Sequence, residues 1–246
     1  MNYHWNWHVF FQLSPDGMNT YLQTLLDGAV WTLALSVVAW FLALVLGVVV
    51  GVCNTLGITW LQRLCRAWVE LFRNVPLLVQ MFLWYFVFPE VVPQSLGQAI
   101  KAADPVFSTF VTAVVCLGLF TSSRIAEQVR AGIESLPRGQ RLAATALGLT
   151  RAQVYRYVLL PITVRIVMPP LTSEALNLVK NSSVAFTIGL LEITGAARSM
   201  QEFRFQIFEA FAAATLLYVL INMVVALIMR AIERRLVVPG FLGGKR

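Results

Sequence analysis

Apolar positions along this chain run in long unbroken blocks, not in the alternating or three-and-four spacing of a soluble fold. No formal charge appears between Asp27 and Arg63, and residues 29–53 alone exceed the roughly 20 that carry a helix across the hydrocarbon. Residues 67–89, 105–123, 162–191 and 210–229 form four more blocks, so the pattern predicts an all-α integral membrane chain of five transmembrane helices. In the second block Glu70 and Arg73 stand near one end and Pro76 enters the apolar part, which puts its first turns at the interface. The fourth is broken by Arg165, Pro169, Pro170, Glu174, Lys180 and the run Asn181-Ser182-Ser183. It reads as a span that faces protein or water, kinked at the proline pair. The first block begins well into the chain, follows a segment without Lys or Arg, and is too long for a cleaved signal core, so it reads as retained.

Residues 142–161 differ from all of these, because they carry a soluble-looking helical pattern between two spans. The stretch from Arg138 to Leu147 is rich in Ala, Leu, Gln and Arg, which are good helix formers, and Gly148 follows where a helix end favours a left-handed residue. Thr150-Arg151-Ala152-Gln153 has the form of a capping box and opens a second helix to about Leu160. Pro161 stops that pattern and begins the next span, fixing the angle between the two. The first helix places Arg138, Leu142 and Ala146 near one another, with Ala143 and Leu147 on a neighbouring stripe and Ala144 adding a further small side chain. That apolar stripe either receives a partner or packs on the chain's own membrane ends.

Charge orients the spans. With the N-terminus outside, the inside segments hold Arg63, Arg66, Arg124, Arg130, Arg138, Arg141, Arg151, Arg156, Arg165, Arg230, Arg234, Arg235, Lys245 and Arg246, and the outside segments only Lys101, Arg198 and Arg204. Fourteen against three, with Arg73 and Lys180 unassigned at boundary or intramembrane positions, puts the hairpin in the cytoplasm. The same asymmetry accounts for the net charge of +7, because the basic residues flank spans instead of clustering on a nucleic-acid surface.

Chemistry within the chain is scarce. Cys53, Cys65 and Cys116 lie in or beside apolar blocks with no metal-ligand spacing. His4 and His8 are four apart, but Trp5, Trp7 and Phe10 around them look like an interfacial aromatic belt. The tail Gly240-Phe241-Leu242-Gly243-Gly244-Lys245-Arg246 is one residue short of a phosphate loop and lacks its Ser or Thr, and no hydrolase or metalloprotease motif is present. The chain is expected to perform no covalent chemistry.

The order Ala143-Ala144, three residues, Gly148, nine residues, Val158, one residue, Leu160-Pro161 resembles the E-A-A loop of membrane-spanning subunits of ABC importers, with Leu142 where that pattern has Glu. Residues 72–80, Phe-Arg-Asn-Val-Pro-Leu-Leu-Val-Gln, and Leu178-Val179-Lys180-Asn181-Ser182-Ser183 with Ile188-Gly189 resemble segments of polar amino-acid permeases. The continuation Glu192-Ile193-Thr194-Gly195 is most similar to permeases of glutamate/aspartate importers.

The resemblance implies one transmembrane permease domain, 1–246, of the type I importer fold, with a coupling loop at 128–161. It implies alternating access, with Leu142, Ala143, Ala144, Leu147, Gly148 and Pro161 docking a cytoplasmic ATPase dimer that binds the ATP and Mg²⁺. A second permease subunit and a periplasmic amino-acid-binding protein complete the machine in the inner membrane, with the N-terminus periplasmic and the C-terminus cytoplasmic. Glu174, Lys180, Asn181, Ser182 and Ser183 are the expected substrate path. Two readings of Lys180 stay open, substrate contact or a structural ion pair with Glu174 six residues earlier; Arg73 either snorkels to the interface or meets substrate. An ion-coupled secondary carrier would want carboxylates inside the spans, and a non-transporting scaffold would use the hairpin alone.

Overall fold

The computed structural model describes residues 3–15 and 17–236. A short 3₁₀ turn (Trp7–Phe11) precedes α1 (Tyr21–Thr55), α2 (Thr59–Asn74), α3 (Leu77–Phe82), α4 (Phe88–Val91), α5 (Gln94–Ala102) and α6 (Pro105–Glu134). After these come α7 (Arg138–Ala146), α8 (Arg151–Gln153), α9 (Leu160–Asn181), α10 (Ile193–Arg204) and α11 (Ile207–Leu236). No strand occurs among the described residues, only an isolated bridge between Leu13 and Thr20. Among the described residues four helical rods are long and apolar enough to cross a membrane: Tyr21–Thr55, Pro105–Glu134, Arg151–Ile188 and Ile207–Leu236. Thr59–Asn74 with Leu77–Val91 makes a fifth if that bent pair is one span.

The bend corrects the second predicted block. The chain turns by 102° between α2 and α3, so residues 67–74 belong to a separate amphipathic helix and the apolar run starts at Leu77. Pro76 is the cause, since its ring drives Val75 into extended backbone (φ −84°, ψ 129°) and ends α2. Gln80, itself buried, holds the corner: its Nε2 donates to the carbonyls of Phe72 and Val75, both at 2.8 Å, which α2 leaves without helical partners.

The fourth block is corrected in the opposite sense. Pro161 does not end the preceding helix. Residues 151–188 form one rod that passes from α8 through a π-helical segment (Val154–Leu159) into α9 and then a 3₁₀ segment (Ser182–Ile188). A second π segment (Leu83–Val87) joins α3 to α4 and ends two residues before Pro89, just as the first ends two before Pro161. Proline has no N–H to donate and its ring crowds the carbonyl four residues back, and a widened turn relieves both. Pro169 and Pro170 lie inside α9, which runs on through them.

α6 is the central element, and α1 lies along it. The buried side of α1 includes Thr32, Leu35, Ala39, Ala43, Gly47 and Gly51, mostly small residues at three- and four-residue intervals. A Cβ on Gly47 would fall 2.6 Å from Ile125 Cβ, and one on Gly51 2.6 Å from the Ala126 carbonyl oxygen. Gly118 on α6 answers by admitting Leu42 of α1 equally closely, at 2.6 Å. Lipid tails are as apolar as leucine, so helix association here depends on such close packing and not on expulsion of water. Gly132 plays the same part toward α9, facing Val167 and Thr163.

At the opposite end from the hairpin, the fully buried Glu192 caps α10 through the Gly195 N–H at 3.0 Å and accepts from Thr32 of α1 and Tyr218 of α11. One carboxylate thus joins three elements. Burial is the largest influence on it and pushes its pKa above the ordinary 4.5. Glu209 accepts from Tyr3 and from the Asn6 N–H at 2.7 Å, fastening the N-terminal segment to α11. Trp5 stacks on Trp7 and packs on Phe208. His4 lies before the 3₁₀ turn that holds His8, so the two do not share a helical face, and the described residues bring no three His, Cys, Asp or Glu side chains together as a metal site would. The glycine-rich tail lies outside those residues.

Gly47→Leu is expected to lower stability by about 1–3 kcal/mol, read as a reduced thermal midpoint in detergent, while Val48→Leu on the exposed side of α1 leaves it unchanged. Because Glu192 holds its proton more tightly folded than unfolded, it favours the folded state at low pH. Its contribution is lost as pH rises from 4.5 through the raised value. The thermal midpoint of the parent protein relative to Glu192→Gln should fall as pH rises across that window, which paired melts of the two proteins at each pH would measure.

Candidate functional site

The hairpin has the local chemistry its sequence requires. The Leu149 N–H donates to the Ala144 carbonyl at 3.2 Å and the Gly148 N–H to Thr145 at 3.0 Å, the paired bonds of a Schellman ending with Gly148 at φ +81°. Thr150 then caps the next helix as a full capping box with Gln153, whose Oε1 accepts from the Thr150 N–H at 2.8 Å. α7 packs against Val154–Leu159, and Ala144, only 4% exposed, shares an apolar cluster with Val154, Tyr155 and Leu159. Leu142 and Leu147 point away from it, 69% and 82% exposed, and Ala143, Gly148 and Pro161 are exposed as well. The alternative of packing on the chain's own membrane ends therefore holds for Ala144 and not for the two leucines.

Tyr155, on the π segment, ties the hairpin to α1. Its hydroxyl donates to the Thr55 carbonyl at 2.9 Å and lies 3.0 Å from the Thr55 hydroxyl. A displacement of α7 therefore reaches the end of α1 as well as α9. Nothing in the sequence pattern around Tyr155 marks this contact, because its partner is one hundred residues away.

The expected substrate-path residues divide. Glu174 is buried and both its oxygens are engaged from α6: Arg124 Nε donates to one at 2.8 Å and Gln128 Nε2 to the other at 3.1 Å. The ion pair posed between Lys180 and Glu174 is thereby excluded, and Arg124 is the partner that sequence reasoning missed. Ser182 and Ser183 turn their hydroxyls back onto the carbonyls of Val179 and Lys180, both at 2.7 Å, which tightens the chain into its 3₁₀ segment. Asn181 is half-buried. Lys180 is exposed and forms no ion pair among the described residues. Arg73 is exposed in the last turn of α2.

Register gives the depth of Lys180. α9 runs antiparallel to α6, with Val167 at Gly132 and Glu174 at Arg124, so Lys180 is level with Gly118. Gly118 abuts Leu42, near the middle of the charge-free stretch of α1. A lysine facing lipid at that depth would cost at least about 2.5 kcal/mol, so its ammonium belongs toward protein or water.

A bundle with four to five spans, a capped hairpin standing off one end and a cation at mid-depth defines a transport-type membrane subunit. Residues 43–238 match the family described as binding-protein-dependent transport system inner membrane component, and the chain belongs to that family. It is 48% identical over all 246 residues, and over the whole of that protein, to the glutamate/aspartate import permease protein GltJ of Escherichia coli K12. Identity is 34% over 211 residues, 86% of this chain and 92% of the other, to the probable glutamine ABC transporter permease GlnM of Bacillus subtilis 168. Among solved structures, an amino acid ABC transporter crystallised with histidines superposes with a TM-score of 0.73 at 26% identity, covering 87% of this chain and 95% of that one. The inward-facing MetNI methionine transporter shares the fold, with a TM-score of 0.73 at 22% identity over 88% and 98% of the chains.

Arg124→Ala, which strands a buried carboxylate, is expected to cost about 3 kcal/mol, and the double variant Arg124→Ala/Glu174→Ala distinctly less than the sum of the two single losses. Thermal unfolding of the four proteins closes that cycle. Tyr155→Phe should leave the fold intact while lowering the transport obtained per ATP hydrolysed in the assembled transporter; unchanged coupling would remove Tyr155 from the path of force.

Proposed function

We propose that this chain is the membrane-spanning permease subunit of an ATP-driven importer that moves an acidic amino acid, glutamate or aspartate, into the cytoplasm by alternating access. The observation that carries the reading is that α7, set off by the Gly148 turn, packs through Ala144 on the foot of the unbroken residue 151–188 rod. A push on Leu142 and Leu147 passes through that contact with Val154, Tyr155 and Leu159 into the rod and along it to Lys180, Asn181, Ser182 and Ser183. The 48% identity to GltJ over the full length of both chains supports the acidic substrate. Lys180 is the group on this chain that attracts its carboxylate.

In this reading the N-terminus is periplasmic and the hairpin, proposed as the coupling element within 128–161, is cytoplasmic. Residues 128–134 of that stretch are the last turns of α6. Leu142, Ala143, Ala144, Leu147 and Gly148 meet an ATPase dimer that binds ATP and Mg²⁺, and Pro161 sets how the rod leaves the hairpin. A second permease subunit covers the face on which Lys180 is exposed, and a periplasmic binding protein delivers the amino acid. This chain holds the path and hydrolyses nothing. Glu174 is committed to Arg124 and Gln128, and the buried Glu192 to Thr32, Gly195 and Tyr218, which speaks against either serving an ion-coupled carrier.

Proteoliposomes holding the permease pair and the ATPase, supplied with the binding protein, test the reading. Glutamate and aspartate should raise ATP hydrolysis, and glutamine and arginine should not. Uptake that continues without ATP, or a flat response across the panel, would overturn it. Lys180→Ala should raise KM for the acidic substrates more than for neutral or basic ones, and equal losses for all would remove it from selectivity. Gly148→Pro should uncouple hydrolysis from uptake.

A further inference from the structure

Between Glu134 and Glu174 the chain contains five arginines, Arg138, Arg141, Arg151, Arg156 and Arg165, and no acid. Arg138 opens α7 and Arg141 follows one turn later, close to the positive end of the helix dipole and therefore where cations are least favoured. Pro137, at the N-cap, offers no side-chain acceptor there. Both arginines are exposed and neither forms an ion pair among the described residues. Glu134, the nearest acid in sequence, is taken by Arg130. Beside the pair lies a cavity of about 640 Å³ whose lining includes Arg138, Arg141, Leu142, Gln62 and one acid, Glu134, which is already held by Arg130. Two cations without an ion-pair partner among the described residues thus stand next to the exposed leucines, with room for side chains from outside.

Resting on the reading of this hairpin as the ATPase-docking element, we infer that the partner's receiving groove has an apolar floor and an acidic rim. Leu142 and Leu147 enter the floor, with the small exposed Ala143 and Ala146 allowing close approach. Carboxylates of the rim pair with Arg138 and Arg141, one of them reaching into the cavity. Guanidinium suits this role because its fork donates two parallel N–H bonds to one carboxylate. A membrane surface offers anionic headgroups of the same charge, and varying the lipid composition separates it from the partner's rim.

The test titrates the ATPase subunit onto the permease pair in neutral-lipid nanodiscs, at low and at physiological salt. Arg138→Glu/Arg141→Glu should weaken binding roughly tenfold at low salt and flatten its salt dependence. Arg138→Gln/Arg141→Gln should do so to a smaller extent. Leu142→Ser/Leu147→Ser should weaken it at both salt concentrations. Thermal midpoints of the permease pair confirm that the variants are folded, as replacement of exposed side chains without ion-pair partners allows. If the leucine variant binds weakly and the charge reversal does not, the docking reading stands and the acidic rim falls. If neither variant is weakened, the docking reading itself falls. A reversal effect seen only in nanodiscs containing anionic lipid assigns the arginines to the membrane and overturns the inference.

Discussion

The approach of α1 to α6 through Gly47, Gly51 and Gly118 is the contact on which the rest of the bundle is assembled. With two backbones this close, α6 becomes a fixed post. α9 packs on it at Gly132, and the α2 side does so through the Trp68 indole, 3.3 Å from the Ser122 hydroxyl. Such packing is steep in distance, because dispersion gains fall off within a fraction of an ångström. The post is therefore rigid where the hairpin is open, which is the division of labour a moving transporter needs.

Charge inside the bundle follows the same economy. Glu174 is expensive to bury, and the structure offsets that cost with two donors from a neighbouring helix. The pair locks the register of α9 on α6 and so fixes the depth of everything beyond it, Lys180 included. Its role is architectural, while Lys180 forms no ion pair among the described residues. Glu192 repeats the device at the far end, where it joins α1, α10 and α11.

What the sequence made legible were features written locally. The charge-free blocks, the Gly148 ending and the Thr150 capping box each lie within one short window, and each is found where the pattern puts it. The buried stripe of α1 was not legible, because α1 is apolar on every side and its inward face differs in residue size, not polarity. Prolines misled twice in opposite directions. Pro76 ends a helix that apolarity carried through, whereas Pro161 sits within a continuous rod that propensity would break. Arg124 with Glu174 and Tyr155 with Thr55 are long-range meetings, and no spacing rule within a helix finds them.

The widened turn at Val154–Leu159 has a geometric effect far from where it lies. A π turn accommodates one residue more than an α turn, and each residue of an α-helix advances the side chains by about 100°. The segment therefore sets the phase of the whole rod: everything from Pro161 to Ile188 is rotated relative to the hairpin by the angle that one extra residue supplies. Which way Lys180 faces at mid-membrane is thus decided some twenty residues earlier, at the hairpin foot of the helix, by the turn that also grips Thr55.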